Sequence, residues 1–209
     1  MPSVTTVIGQ NLGWDKEMLL GWTRKMMREG KDPILFRDRA GAFGTVVHKF
    51  VELGRVDSVG LDLKVLSLLS QDWLDKAKGA FDRYAEWAKQ HWVEPLAAEL
   101  PLVSEEYKYG GTLDMVANVD GVPSLLDVKT SSRIKTSHRV QVSAYKHLYH
   151  EVHGVWLQPV LLHLPGRDSD EPLEPYPMGP LVAEWDAFLH LLALYQLKKV
   201  LDPFEREDR

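Results

Sequence analysis

Apolar residues in the first half of the chain recur every three or four positions, which is typical of helices that pack one face on a core. Gly30, Gly54 and Pro95 follow these runs, and both residue types commonly end helices. The pattern therefore predicts helices over residues 15–29, 38–53 and 71–93.

From residue 102 onward the period changes to two, which indicates strands with one buried face. The proline-rich segment 165–180 predicts a loop, and the charged residues 205–209 predict a frayed end. The remaining elements are three strands over 102–108, 111–119 and 122–129, a helix over 137–151, an apolar buried strand over 155–164 and a helix over 181–201.

Length and composition indicate one well-filled globular domain. The chain has 209 residues, of which 44% are hydrophobic and 26% are charged. The absence of cysteine excludes disulfides, zinc ribbons and cysteine-ligated iron–sulfur clusters. The net charge of −5 argues against broad binding of nucleic acid but leaves room for a local basic groove.

No segment has the character of a leader or a membrane span. Residues 1–10 lack a basic start and a long apolar run, and no apolar stretch approaches the ~20 residues that cross a bilayer. We therefore expect a cytoplasmic protein, in a bacterial or phage-infected host cytosol, with no membrane partner.

A tight hairpin is predicted at Asp120-Gly121, because both positions of a two-residue turn favour residues that tolerate positive φ. In that register Asp114 lies directly opposite Asp127, and Lys129 lies on the same face two residues further. The other face, from Leu113 to Val119 and from Val122 to Val128, is almost wholly apolar and can rest on a core.

Two carboxylates paired across a sheet repel each other, so a divalent cation bound between them would account for the pair. The alternative is a solvated sheet face on which Lys129 neutralises Asp114 and Asp127. Geometry alone leaves these two interpretations evenly balanced.

Four segments then resemble the RecB-like exonuclease branch of the PD-(D/E)XK nucleases, in the order of that superfamily's motifs. They are Gly44-Thr45-Val46-Val47-His48, Gly110-Gly111-Thr112-Leu113-Asp114, Leu125-Leu126-Asp127-Val128-Lys129-Thr130 and Gln141-Val142-Ser143-Ala144-Tyr145. Some subfamilies hold an iron–sulfur cluster with four cysteines, and this chain departs from them because it has none.

The resemblance implies an α/β fold with a restriction-endonuclease-like core: a helix, a three-stranded antiparallel meander, a helix and a strand, with added N-terminal and C-terminal helices. It implies a single nuclease domain over residues 1–209. Within it we expect helical additions at 1–37 and 55–98, a catalytic sheet and helix at 99–164, and a C-terminal helix at 181–201.

The resemblance also assigns roles to residues. His48, Asp114, Asp127 and the carbonyl of Val128 would bind Mg²⁺ or Mn²⁺, and Lys129 would orient or activate the attacking water. Gln141 and Tyr145 lie four apart on one helix face and would hold the substrate or support the lysine.

Positive charge after Lys129 predicts a contact with DNA beside a helix N-terminus, although an ordinary solvated loop is the alternative. The residues are Thr130, Arg133, Lys135, His138 and Arg139. Glu52, four residues after His48, is a weaker expectation as a ligand of a second metal or a support for the first, and a surface carboxylate is its simpler interpretation. Glu106, on the strand predicted before the hairpin, is a further weak expectation, for which Glu105 is the competing residue.

The expected activity is metal-dependent hydrolysis of DNA phosphodiesters at linear, possibly single-stranded ends, leaving 5′-phosphates, in recombination, repair or phage DNA processing. A structure-specific endonuclease or resolvase and a catalytically silent DNA-binding or interaction module are the alternatives. The apolar N-terminal residues are Trp14, Trp22, Met26 and Met27. They would form a docking surface for a recombinase, annealing protein or helicase, or else belong to the hydrophobic core.

Overall fold

The structure is a computed structural model that describes residues 1–11, 16–166 and 172–206. Helices alone occupy the described residues up to Gln90, and a four-stranded sheet begins at Val93. The helices are α1 (Val4–Asn11), α2 (Lys16–Arg28), α3 (Pro33–Leu53), α4 (Leu63–Ser67), α5 (Gln71–Gln90), α6 (Thr136–His153) and α7 (Val182–Arg206). The strands are β1 (Val93–Val103), β2 (Gly110–Val119), β3 (Val122–Lys129) and β4 (Gln158–His163).

The predicted two-residue turn joins β2 to β3. Asp120 and Gly121 have φ of 51° and 79°, the left-handed values that such a turn requires. The predicted register is confirmed for five pairs, from Val119 opposite Val122 back to Met115 opposite Leu126.

The strands lie in the order β1-β2-β3-β4. β1, β2 and β3 form an antiparallel meander, and α6 carries the chain over to β4, which runs parallel to β3. The parallel register brings His163 beside Lys129, so the catalytic segment predicted at the end of β3 is flanked on one side by β4.

Helices cover both faces of the sheet. α3 and α5 pack on one face, against a core that contains the β2 and β3 residues Met115, Ala117, Leu126 and Val128. α1, α6 and α7 pack on the other, against a core that contains Leu113, Val116, Leu125 and Leu161. Because Leu113 and Met115 belong to opposite cores, the predicted single apolar face of β2 is wrong at Leu113, and the alternation of side chains breaks at Asp114.

The predicted α/β fold with a restriction-endonuclease-like core is confirmed, and its element bounds are corrected. α3 begins at Pro33 rather than residue 38, because the Asp32 carboxylate caps it by accepting hydrogen bonds from the amides of Ile34 and Leu35. α5 ends at Gln90, not 93, and Pro95 lies within β1, where an edge strand tolerates proline.

β1 spans Val93–Val103 where residues 102–108 were predicted, and β4 is shorter than the predicted 155–164. The short helices α1 and α4 were not predicted. Within the described ranges no helix is long and apolar enough to cross a membrane. Trp14 and residues 167–171 and 207–209 lie outside the described residues. The described part of the predicted loop at 165–180 holds no helix and only an isolated bridge from Tyr176 to Leu161, and residues 205–206 of the end predicted to fray at 205–209 belong to α7.

Candidate active site

β2 and β3 separate at Asp114. The ladder between them ends at the pair Met115–Leu126, so Asp114 and Asp127 do not form the predicted cross-strand pair. Instead Asp114 Oδ2 accepts a hydrogen bond of 2.9 Å from the backbone N–H of Val128. This bond and the contact of Asp114 with His48 take the place of the next cross-strand pair, and the parting of the strands opens room for a ligand.

One helix and two strands contribute side chains to a single cluster at this opening. His48 comes from α3, Glu99 from β1 and Asp114 from β2, and their potential ligand atoms all lie within 4.8 Å of one another. His48 Nδ1 is 3.3 Å from Asp114 Oδ2. One nitrogen and two carboxylate oxygens at this spacing can hold a divalent cation.

Glu99 is the site residue that sequence reasoning missed. It stands opposite Asp114, between the pairs Ala98–Met115 and Leu100–Leu113, and its φ of 47° lies in the left-handed region. Such backbone strain in a non-glycine residue is concentrated at functional sites. Glu99 is an exposed residue, yet partial desolvation first, and the charge of Asp114 next, raise its pKa. A bound cation would relieve both effects.

Glu106, which was expected to serve on the strand before the hairpin, lies in the turn after β1. Its backbone N–H donates to Glu151 Oε1 at 3.0 Å. The strand prediction for Glu106 is therefore wrong, and Glu99 supplies the acidic side chain at the cluster.

Asp127 and Lys129 form a buried pair next to this cluster. Asp127 is fully buried and Lys129 Nζ lies 2.7 Å from its Oδ2, while Oδ1 has no hydrogen-bond partner among the described residues. Burial raises the pKa of Asp127 to about 6, against the opposing charge of Lys129. Burial lowers the pKa of Lys129, but the charges of Asp127 and Asp114 outweigh it and the net shift is upward, so the lysine stays cationic.

The donor set fits a divalent cation. A buried carboxylate oxygen without a partner is costly, and a hard cation is the ligand that satisfies it best. Asp127 is not among the residues whose ligand atoms meet within 4.8 Å, which are His48, Glu99 and Asp114, so its role as a metal ligand stays a prediction. The Val128 carbonyl, expected as a further ligand, stays a prediction.

Gln141 and Tyr145 occupy the same face of α6, as their spacing predicts. Gln141 Nε2 donates to Tyr145 Oη at 3.1 Å. The tyrosine ring packs on Gly111, where a Cβ would come within 2.5 Å of Cε1. Burial raises the pKa of Tyr145, so its hydroxyl remains protonated and able to donate a hydrogen bond.

The segment after Lys129 is held by both of its neighbours. Thr130 Oγ1 would lie 3.0 Å from a Cβ at Gly44 of α3, so α3 approaches this segment closely. His163 Nε2 donates to the Ser131 carbonyl at 2.7 Å, and Leu164 N–H donates to the Lys129 carbonyl. The role of His163 had no signal in the sequence, because β4 reaches it only through the parallel crossover.

The basic residues expected to contact DNA are partly engaged within the protein. Arg139 forms an ion pair with Glu184 of α7. The amide N–H of Lys135 donates to His138 Nδ1 at 3.2 Å. The DNA contacts of Thr130, Arg133, Lys135, His138 and Arg139 stay predictions, and the ion pair of Arg139 makes it the weakest of them.

A groove of about 810 Å³ runs from the cluster along α3 toward α4. Glycines of α3 line one wall of the groove, and charged and apolar side chains line its far end. The lining residues are Gly41, Gly44, Thr45, His48, Lys49, Glu52, Gly60, Leu61, Asp62, Val65 and Glu99. Glu52 is in this wall and is paired with Lys49, rather than with the cluster.

Comparison with known proteins supports the fold and goes no further. No family model matches the chain, and no curated protein matches it. Among solved structures, a candidate exonuclease from Eubacterium rectale matches with a TM-score of 0.55 and 12% identity. The match covers 78% of this chain and 66% of that protein, just under two thirds of its length. At this identity the likeness shows a shared nuclease-like fold alone.

Proposed function

We propose that this protein is a metal-dependent deoxyribonuclease of the RecB-like branch of the PD-(D/E)XK superfamily, acting on DNA ends. The observation that carries the proposal is the fully buried Asp127, one oxygen of which has no hydrogen-bond partner in the described part of the chain, held against Lys129 beside His48, Glu99 and Asp114. The four motifs in the sequence and the fold shared with a candidate exonuclease support it.

A bound Mg²⁺ or Mn²⁺ would polarise the phosphodiester and lower the pKa of a coordinated water. His48, Glu99, Asp114 and Asp127 would hold the ion. The Lys129 ammonium, fixed by Asp127, would orient the attacking water and stabilise the negative charge that develops on the phosphate. The Tyr145 hydroxyl, in contact with Gln141, would donate to a phosphate oxygen. The expected product carries a 5′-phosphate.

The catalytically silent alternative is disfavoured by the same residues. A binding module gains nothing from burying Asp127 without a full set of partners, since an unsatisfied buried carboxylate destabilises the fold. A structure-specific endonuclease would use the same chemistry, so the substrate in the test must separate the two activities.

The test is cleavage of end-labelled linear DNA and of a closed single-stranded circle, each with Mg²⁺, Mn²⁺ or EDTA. The Lys129→Ala variant should lose at least about a hundredfold in rate, because it removes a group that acts on the developing charge. Lys108→Ala is the matched control, since Lys108 is paired with Glu105 at the exposed turn after β1.

Metal-dependent loss of the linear label with an intact circle, abolished by Lys129→Ala and kept by Lys108→Ala, is the expected result. Cutting of the circle would replace the exonuclease with an endonuclease. Full activity in Lys129→Ala, or cleavage in EDTA, would overturn the assigned site.

A further inference from the structure

An ion pair lines the groove directly beside the metal cluster. Lys49 follows His48 in α3, and its Nζ lies 2.8 and 2.7 Å from the two carboxylate oxygens of Glu52. Both side chains are about three quarters buried, with exposures of 24% and 26%. The pair is therefore more enclosed than most surface ion pairs.

The surroundings of Lys49 are acidic. Among the residues that line the groove, Lys49 carries the only permanent positive charge, whereas Glu52, Asp62 and Glu99 are carboxylates. A polyanion entering this groove would meet net negative charge everywhere except at the metal and at Lys49.

The lysine is also positioned by the backbone of the opposite wall. Gly60 has φ of 78°, and a Cβ there would lie 3.1 Å from Lys49 Cε. The aliphatic part of Lys49 therefore packs under Gly60, which directs the ammonium along the groove. Gly41 to Glu52 on α3 rise by about 16 Å, so the groove is longer than a single phosphate group.

We infer that Lys49 binds the phosphodiester next to the one that is cut, and that Glu52 is the counter-ion that this phosphate displaces. The inference rests on the proposed nuclease function and adds a substrate subsite to it. A lysine ammonium is a point charge that can exchange a carboxylate for a phosphate without a change in geometry.

The test combines single-charge changes in the protein and in the DNA. Short single-stranded oligonucleotides each carry one uncharged methylphosphonate linkage, moved stepwise past the cut site, and KM and kcat are measured with Mn²⁺. In the wild-type protein, a methylphosphonate at one position beside the cut should raise KM about tenfold, because one hydrogen bond to a charged group is lost. In Lys49→Gln the same neutralised linkage should raise KM less than twofold, because the ammonium that would bind this phosphate is already absent.

Glu52→Gln supplies the opposite change, because it frees Lys49 for the phosphate. It should lower the KM of the unmodified oligonucleotide several-fold, and the methylphosphonate should still raise it. Lys108→Gln and Glu105→Gln are matched controls at another pair three residues apart, outside the groove. Thermal denaturation of every variant identifies any loss of folding.

Cleavage in which no flanking linkage shows this coupling to Lys49, or in which Lys49→Gln keeps the wild-type pattern, overturns the inference and leaves the nuclease function standing. An absence of metal-dependent cleavage for every oligonucleotide overturns the proposed function, and the subsite with it.

Discussion

At the scale of single residues, Asp127 and Lys129 each lose hydration on burial, and their mutual attraction offsets that loss. Each charge is withdrawn from water, with Asp127 fully buried and Lys129 13% exposed, and each compensates the other at 2.7 Å. Removing one partner of a buried pair is more damaging than removing both, because it leaves an uncompensated charge.

Lys129→Met should therefore lower the free energy of unfolding of the metal-free protein by about 3 kcal/mol. The double variant Asp127→Asn/Lys129→Met should recover most of that loss, although it remains inactive. Urea denaturation in EDTA at neutral pH measures both. A double variant that is no more stable than Lys129→Met would show that the pair is not the source of the cost.

At the scale of elements, α6 and α7 are joined by aromatic stacking that involves a titratable ring. His147 of α6 stacks on Trp185 of α7, with ring centroids 3.8 Å apart and an angle of 3° between the ring planes. Trp156 contacts the imidazole of His147 edge-on, with centroids 4.9 Å apart. Burial, followed by the positive charges of Lys146 and His150, lowers the pKa of His147 to about 4.

This pKa makes the contact between α6 and α7 sensitive to acid. Between the unfolded value of 6.5 and about 4, the unfolded chain binds more protons at His147 than the folded chain does. The contribution of His147 to the free energy of unfolding is therefore fully present above pH 6.5 and is lost as the pH falls toward 4. Because His147 is partly exposed, solvent screens the effect, and we expect a loss of about 1 kcal/mol rather than the amount that the whole pKa difference implies.

His147→Phe keeps the stacked ring but cannot take a proton. Urea denaturation at pH 7 and pH 4.5 should show a smaller loss of stability on acidification for this variant than for wild type, by about 1 kcal/mol. His190→Phe is the control on α7, since His190 is hydrogen-bonded to the Asp186 carbonyl of its own helix. Equal acid losses in wild type and His147→Phe would contradict the assignment.

The elements also indicate what the sequence could and could not predict. The turn at Asp120-Gly121 depends on local φ preferences, so the register down to Met115–Leu126 followed from two residues. The next pair did not form, because Asp114 bonds to the Val128 amide and contacts His48 from a distant helix. Glu99 was missed for a related reason, since its left-handed backbone breaks the alternation that marks a strand.

At the scale of the whole molecule, the net charge of −5 and the acidic groove predict a particular mode of DNA binding. A protein that covers DNA with basic residues loses affinity steeply with salt, because each phosphate contact releases counterions. Among the described residues, the groove contributes the cation Lys49, and Lys129 lies beside the metal cluster.

We expect the affinity for a single-stranded oligonucleotide to fall with a slope of about −2 in log K against log salt, as two or three phosphate contacts would give. Fluorescence anisotropy with Ca²⁺ present, between 50 and 300 mM potassium chloride, measures the slope. The control Lys108→Gln removes the same charge outside the groove and should leave the slope unchanged, whereas Lys49→Gln should make it less steep. A slope of about −5 or steeper would point to a broad basic surface elsewhere.

The hydrogen bond from the Val128 amide to Asp114 has a consequence for following the site in solution. Most amides within a sheet are bonded to a neighbouring backbone, so their exchange with deuterium reports the opening of strands. The Val128 amide is bonded to a side chain at 2.9 Å, at the place where β2 and β3 have already parted. Its exchange rate therefore reports the position of one carboxylate, and it gives a probe of whether the metal ligands are preorganised before any ion arrives.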